Sequence, residues 1–461
     1  MLPTFSDGSG GTQRRYRRSL GFVLVLLISA GFLITAINVL QGPQLRLTSA
    51  DSAGLVTRSQ VSVTLQSDRA LEAVTSDQVT VAPSAPFTVT TDGLVIRLRF
   101  TLPLKANTTY DVFVTGVAAK NLGTTSTWST SFTTDPLDFL FLEARDQTTA
   151  LVQASPHNSS PITLYEAPGI TAFSRVASVI AIMREHGSDA SLEILDPASG
   201  EVERLSFPPG IELVDVAPVS WGASAIVVVN SVGDDDVPVF GAVAMVDLLG
   251  ERTPSLITAL DGTPVSVRKV VVSDGGGYII LWLNNGELMR YDPPSDTIFP
   301  VGFASEVWGF DSLGELLVFV DAQGTLALNL RSGEITRVPA GRIDGFQVAH
   351  ELTTFAPDFS SFQRVGVNSS DSENLNYLVT RSNTQGFHSL ITGSLATRQS
   401  IGALALSPNG QYLLVETNDQ TTPVGYAGLT LTQVSQSTVI QVIDSESSQI
   451  LFEFPGFSFN W

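Results

Sequence analysis

One stretch decides the fold: Val267-Arg268-Lys269-Val270-Val271-Val272, Ser273-Asp274-Gly275-Gly276-Gly277, Tyr278-Ile279-Ile280-Leu281-Trp282-Leu283, Asn284-Asn285-Gly286, Glu287-Leu288-Met289-Arg290-Tyr291. Then come Asp292-Pro293-Pro294-Ser295-Asp296 and Thr297 to Val301. Short β-branched and apolar runs are strand formers, and the Gly, Asn, Asp and Pro clusters between them are turn formers. Asn285-Gly286 is a tight-hairpin signal. The stretch therefore predicts four short antiparallel strands in about 35 residues.

The same grammar recurs. Trp308–Phe310, Leu316–Val320, Thr325–Leu330 and Ile335–Val338 follow, split by Asp321-Ala322-Gln323-Gly324 and Arg331-Ser332-Gly333-Glu334. Earlier, Ser178–Met183, Ser191–Leu195 and Val202–Phe207 repeat it. Near the end, Leu404–Leu406, Tyr412–Val415, Val439–Ile443 and Gln449–Phe454 do so again. Units start near residues 171, 211, 267, 305, 343 and 400. Four strands per repeat predicts a β-propeller over residues 138–461, because a four-stranded blade cannot bury both faces alone. A leading set, Phe139–Glu143, Thr149–Val152 and Ile162–Tyr165, lacks a first strand. The apolar segment Phe457-Ser458-Phe459-Asn460-Trp461 is left over. Joining the two closes a ring of seven blades. Six is the alternative, since the unit at 343–392 is poorly defined. Ser407-Pro408-Asn409-Gly410-Gln411-Tyr412 resembles the recurring turn of TolB-like and WD-repeat-like propellers, and Asp274-Gly275-Gly276-Gly277-Tyr278 is a weaker echo.

Upstream, residues 44–135 read as a separate small β-sandwich. Val61–Leu65 alternates apolar and polar. So does Leu94–Phe100, with Ile96, Leu98 and Phe100 opposite Arg97 and Arg99. Thr109–Val114 and Trp128–Thr133 follow the same rule. The run Leu104 to Val117 and the ending Trp128 to Thr134 resemble the late strands of bacterial Ig-like domains of S-layer and surface proteins. That resemblance implies a spacer or adhesion module, with Tyr110 and Trp128 as core residues.

Leu20 to Leu40 is uncharged and follows Arg14, Arg15, Arg17 and Arg18. As a helix it would be about 31 Å long, the hydrocarbon thickness of a bilayer. No small-x-small cleavage pattern follows it, so an uncleaved single-pass anchor is expected. The four arginines place the tail, residues 1–19, in the cytoplasm and the rest of the chain outside it.

Residues 1–20 carry four Arg and one Asp. The remaining 21 basic and 44 acidic side chains give −23 beyond that point, within a net charge of −20. No basic stripe exists, so nucleic acid is not an expected partner. Cysteine is absent, which excludes disulfides, thiolate catalysis and cysteine metal sites, and fits a bacterial envelope. No cofactor fingerprint is present. His350-Glu351 lacks the second histidine of a zinc-protease helix, because Thr354 stands there. Asp234, Asp235 and Asp236 are the weak metal candidates, through hard oxygen ligands for Ca²⁺.

Histidine (His157, His186, His350, His388) and lysine (Lys105, Lys120, Lys269) are scarce. General acid–base and covalent catalysis draw on those side chains. The sequence therefore points to a membrane-tethered extracytoplasmic binding or scaffold protein with a protein or glycan partner. The alternative is a propeller enzyme acting on envelope carbohydrate through Asp and Glu.

Overall fold

The computed structural model describes residues 20–30, 41–120, 123–186, 189–207, 211–219, 223–232, 238–250, 252–259, 261–273, 277–339, 348–368, 375–382, 388–392, 399–419 and 438–461. Residues 20–30 form a helix, and residues 31–40 of the expected span lie outside the described ones, as do Arg14, Arg15, Arg17 and Arg18. Among the described residues no helix is long and apolar enough to cross a membrane.

The chain divides into two compact units. The first takes the residues up to Leu55, Gln60–Thr101 and Thr109–Thr133. Its strands are β1 (Leu45–Ala50), β2 (Ser62–Ser67), β3 (Val79–Ala82), β4 (Phe87–Asp92), β5 (Val95–Phe100), β6 (Thr109–Ala118) and β7 (Thr125–Thr133). They form two antiparallel sheets, ordered β1-β2-β5-β4 and β3-β6-β7. In β5 the buried residues are Ile96, Leu98 and Phe100, with Arg97 and Arg99 outward. In β6 they are Tyr110, Val112, Val114 and, past a register shift, Val117. This is the period-2 alternation of a half-buried strand. Phe100 of the larger sheet meets Phe132 of the smaller at 6.0 Å, and Tyr110 stacks on Phe132 at 5.5 Å. The two sheets thus pack face to face around these aromatics. Trp128 is also buried, and its indole N–H donates to the Pro43 carbonyl at 2.7 Å.

The second unit, Thr134–Trp461 with Val56–Ser59 and Leu102–Thr108, is built of four-stranded antiparallel sheets. Seven are present among the described residues. Blade 1 is Phe139–Ala144, Thr149–Ser155 and Asn158–Ala167, joined by Phe457–Asn460. Blade 2 is Ile170–Val176, Val179–His186, Asp189–Leu195 and Val202–Ser206. Blade 3 is Ile211–Val219, Ser224–Val232, Pro238–Asp247 and Ser255–Leu256. Blade 4 is Val267–Val272, Ile279–Leu283, Glu287–Asp292 and Thr297–Phe303. Blade 5 is Glu306–Phe310, Leu316–Asp321, Gly324–Asn329 and Ile335–Arg337. Blade 6 is Val348–Phe355, Ser361–Asn368, Leu375–Ser382 and His388–Thr392. Blade 7 is Gln399–Leu406, Tyr412–Asp419, Val439–Asp444 and Ile450–Pro455.

From blade 2 on, each sheet uses consecutive strands in sequence order, and the first strand of each lies against the first strand of the next. That is β-propeller architecture, with the first strands as the inner ring. The expected unit at 343–392, which had left six blades open, forms blade 6. The expected closure is present too: Phe457, Phe459 and Asn460 pair antiparallel with Leu142, Phe141 and Leu140. The last strand of the chain therefore supplies the inner strand that blade 1 lacks.

The core lies between blades. Leu140, Leu142 and Phe457 pack with Ile170, Ile180 and Ile182 of blade 2. Phe139 and Phe141 pack with Leu414, Ile440, Val442 and Phe454 of blade 7. Each fully buried side chain of this kind contributes roughly 1.5–3 kcal/mol. The Asn284-Asn285-Gly286 turn joins two strands of blade 4, and Gly286 takes φ 89°, which a side chain would strain.

A recurring turn joins the first and second strands of several blades. The Ser273 hydroxyl accepts the Tyr278 N–H at 2.9 Å, and the Ser407 hydroxyl accepts the Tyr412 N–H at 2.9 Å. Asp311 Oδ1 occupies the same place in blade 5, accepting the Glu315 and Leu316 N–H groups at 2.7 and 2.8 Å. The short polar side chain satisfies backbone donors that the turn leaves unpaired.

Candidate functional site

The inner-ring strands carry charged residues among apolar ones. Arg175 stands in Ile170–Val176, Asp215 in Ile211–Val219 and Lys269 in Val267–Val272. Burial pulls the Arg175 guanidinium down while Asp138 opposes it. Burial pushes the Asp215 carboxyl up, against the Val216 N–H that it accepts at 2.8 Å and the charge of Lys269. Lys269 itself is exposed. Beside it Arg268 lies over the Trp282 ring at 4.7 Å, a cation–π contact that fixes its direction. The charge of Asp138 thus reaches Arg175, and that of Lys269 reaches Asp215.

A second polar group sits where the ring closes. Asp138, just ahead of the first strand of blade 1, accepts the Gln153 amide at 2.8 Å. His157 lies in the turn after Thr149–Ser155, with Nε2 3.3 Å from the Tyr412 hydroxyl and its ring edge-on to Tyr412 at 5.6 Å. Gln411 Nε2 donates to the Tyr412 oxygen at 2.8 Å, which leaves the Tyr412 proton for His157 when Nε2 is bare. Burial lowers the His157 pKa, with Asp138 acting against it. Tyr412 is pushed up to about 12 by burial, helped by Asp444. A neutral imidazole beside a phenol that keeps its proton is a hydrogen-bonding pair.

The turn Ser407-Pro408-Asn409-Gly410-Gln411-Tyr412, singled out by its resemblance to propeller turns, has a structural task in this second unit. Asn409 Nδ2 donates to the Leu104 carbonyl at 3.1 Å, and Gln411 Oε1 accepts the Ala106 N–H at 3.0 Å. Tyr412 is buried with Val56, Ala106 and Leu137 and stacks on Trp461 at 6.3 Å. The motif thus holds the segment Leu102–Thr108 to the propeller.

Asp234, Asp235 and Asp236 lie outside the described residues. Among the described residues no group of three or more His, Cys, Asp or Glu side chains could hold a metal ion. His350 falls in the first strand of blade 6, in β structure as its surroundings predict.

No known protein family matches the chain, and no curated protein does. Solved structures resemble it distantly. A prolyl endopeptidase shares 8% identity at a TM-score of 0.47, over 77% of this chain and 49% of its own. Dipeptidyl peptidase 4 of Porphyromonas gingivalis shares 10% at 0.43, over 88% and 62%. Oligogalacturonate lyase of Vibrio parahaemolyticus shares 9% at 0.42, over 70% and 86%. At such identities no residue role passes from them to this chain.

Arg175, Asp215, Asp138 and the His157–Tyr412 pair were not singled out as site residues from sequence. A signal existed for two of them: a charge in the middle of an apolar strand breaks the pattern that core packing imposes. The proximity of Asp138 to Arg175 and His157 was invisible, since it depends on tertiary structure.

Proposed function

We propose that this is a membrane-tethered, extracytoplasmic binding protein of a bacterial envelope, in which an Ig-like spacer carries a propeller that engages a protein or glycan partner. The observation that carries the tether is the helix at residues 20–30. Leu20, Phe22, Val23, Leu24, Val25, Leu26, Leu27 and Ile28 are each more than half exposed, around its whole surface. A helix that is apolar all round is stable in hydrocarbon and unstable in water. Arg14, Arg15, Arg17 and Arg18 orient such a span with its N-terminus in the cytoplasm. The Ig-like reading rests on strand order. The sheets β1-β2-β5-β4 and β3-β6-β7 follow the ABED and CFG order of a constant-type Ig domain. The binding reading rests on the inner-ring strands, whose Arg175, Asp215 and Lys269 offer charge of both signs to a partner.

Two measurements test this. Alkaline carbonate extraction should leave the chain in the membrane pellet, and protease added outside intact spheroplasts should remove the propeller. Release into the supernatant would sink the tether. Incubation of the purified full chain with envelope glycans and cross-linked envelope extracts should show retention without product. New reducing or unsaturated sugar ends would replace the binding reading with the carbohydrate-active one.

A further inference from the structure

Between blades 2 and 3 the propeller contains a cavity of about 420 Å³. Its floor is one face of blade 3, read strand by strand: Ile211, Val229, Ala242 with Ala244, and Leu256. Phe207, just after the last strand of blade 2, supplies another wall, and Val239, Pro254 and Pro264 complete it. None of these nine residues carries a charge or a side-chain hydrogen-bonding group. Val229, Ala242 and Ala244 are buried, whereas Leu256 is 55% exposed, so the space opens past Leu256.

The cause of the space is local. Elsewhere between these blades Val227, Val246, Leu192 and Met183 fill the core. At 242 and 244 the third strand of blade 3 offers only methyl groups on that face. The fourth strand, Ser255–Leu256, is two residues long and cannot cover them. The common core of the two blades fixes their spacing around it. An apolar space of this size left empty forfeits dispersion contacts along its walls, and water gains no partners in it. Its span across four strands is roughly 14 Å at the usual strand spacing.

We infer that this cavity is a binding site for an uncharged aliphatic chain of medium length, an acyl or isoprenoid tail, entering past Leu256. With no polar side chain among the described lining residues, the ligand's polar end stays outside, at the mouth. The size lies within the range of ordinary small-molecule pockets. The inference does not depend on the tether or on the partner of the inner ring.

Photo-crosslinking of the full chain in amphipol tests it, with diazirine-bearing dodecanoate in one arm and diazirine-bearing farnesol in the other. Peptide mapping should place the label on peptides containing Phe207, Val239 or Leu256 in at least one arm, and the arm that labels names the tail. Leu256→Trp, at the exposed mouth, should cut that labelling about tenfold, the equivalent of ~1.4 kcal/mol. Ala244→Phe should do the same by filling the floor. If Ala244→Phe fails to fold, Leu256→Trp decides alone. Leu249→Ala, exposed and outside the lining, should leave labelling unchanged. Label confined to residues 20–40, or equal labelling of the native chain and Leu256→Trp, overturns the inference.

Discussion

Phe459 of the last strand lies opposite Phe141 of the first blade in an antiparallel register. The ring is closed by that pairing, between segments from opposite ends of the propeller sequence. Loop-closure entropy opposes such a contact, and burial of the aromatics around it offsets the cost. Phe139 meets Phe454 at 5.9 Å and Trp461 at 5.5 Å, and Trp461 stacks on Tyr412.

Removing residues 457–461 should therefore be severe. It unpairs Leu140–Leu142 on one edge and takes Phe457 and Trp461 out of two interblade cores. Loss of one large buried aromatic costs about 3–5 kcal/mol. The expected outcome is a strongly lowered melting temperature or a chain that fails to fold, read by calorimetry. An unchanged midpoint would show that the closure contributes nothing.

Asp311 should impose a pH dependence on stability. It is 4% exposed, and burial pushes its carboxyl up from 3.8 to about 6, despite two N–H groups donated to it. The folded chain therefore holds this proton more tightly than the unfolded one. The group's contribution is full below about 3.8 and is lost as the pH rises through about 6. Asp311→Asn keeps an oxygen for both N–H donors and removes the charge. The variant should gain up to about 3 kcal/mol at pH 7.5 relative to the native chain, and nothing at pH 3.5. Denaturant titration at the two pH values checks this, and an equal gain at both would exclude the titration as its cause.

A buried ion pair within blade 2 is tied to blade 1 by a hydrogen bond. Arg184 Nη1 donates to Glu193 Oε1 at 2.5 Å, and the Tyr165 hydroxyl of the neighbouring blade donates to Glu193 Oε2 at 2.8 Å. The Glu193 side chain is 4% exposed. Arg184→Ala strands that carboxylate in the interior and should cost about 3–5 kcal/mol. Tyr165→Phe removes one hydrogen bond and should cost about 1–2 kcal/mol. Arg184→Met with Glu193→Leu should recover most of the loss. Thermal melts of the three variants test the order, and a double variant no better than Arg184→Ala would contradict it.

Much of the fold was legible because strand chemistry is local. Alternation in Leu94–Phe100 and the turn clusters around Asn285-Gly286 and Ser332-Gly333 correspond to observed strands and turns. The strands β1, β3 and β4 were not read. In Leu45–Ala50 all six side chains are partly or fully exposed in no regular order, and Val79–Ala82 is only four residues long. The candidate residues were less legible. Arg175 and Asp215 look like single irregularities in their strands, and Ala242 and Ala244 look like nothing at all.

The sequence by itself determined the repeat of four short strands, the missing first strand of blade 1 and the unpaired segment at 457–461, since each follows from side-chain chemistry within a few residues. Only the tertiary structure decided that those two remnants pair and that charges from successive blades share an inner ring. It also decided that small residues at 242 and 244 leave a cavity. Those outcomes depend on distances between residues far apart in the chain, which packing and register fix and local propensity does not.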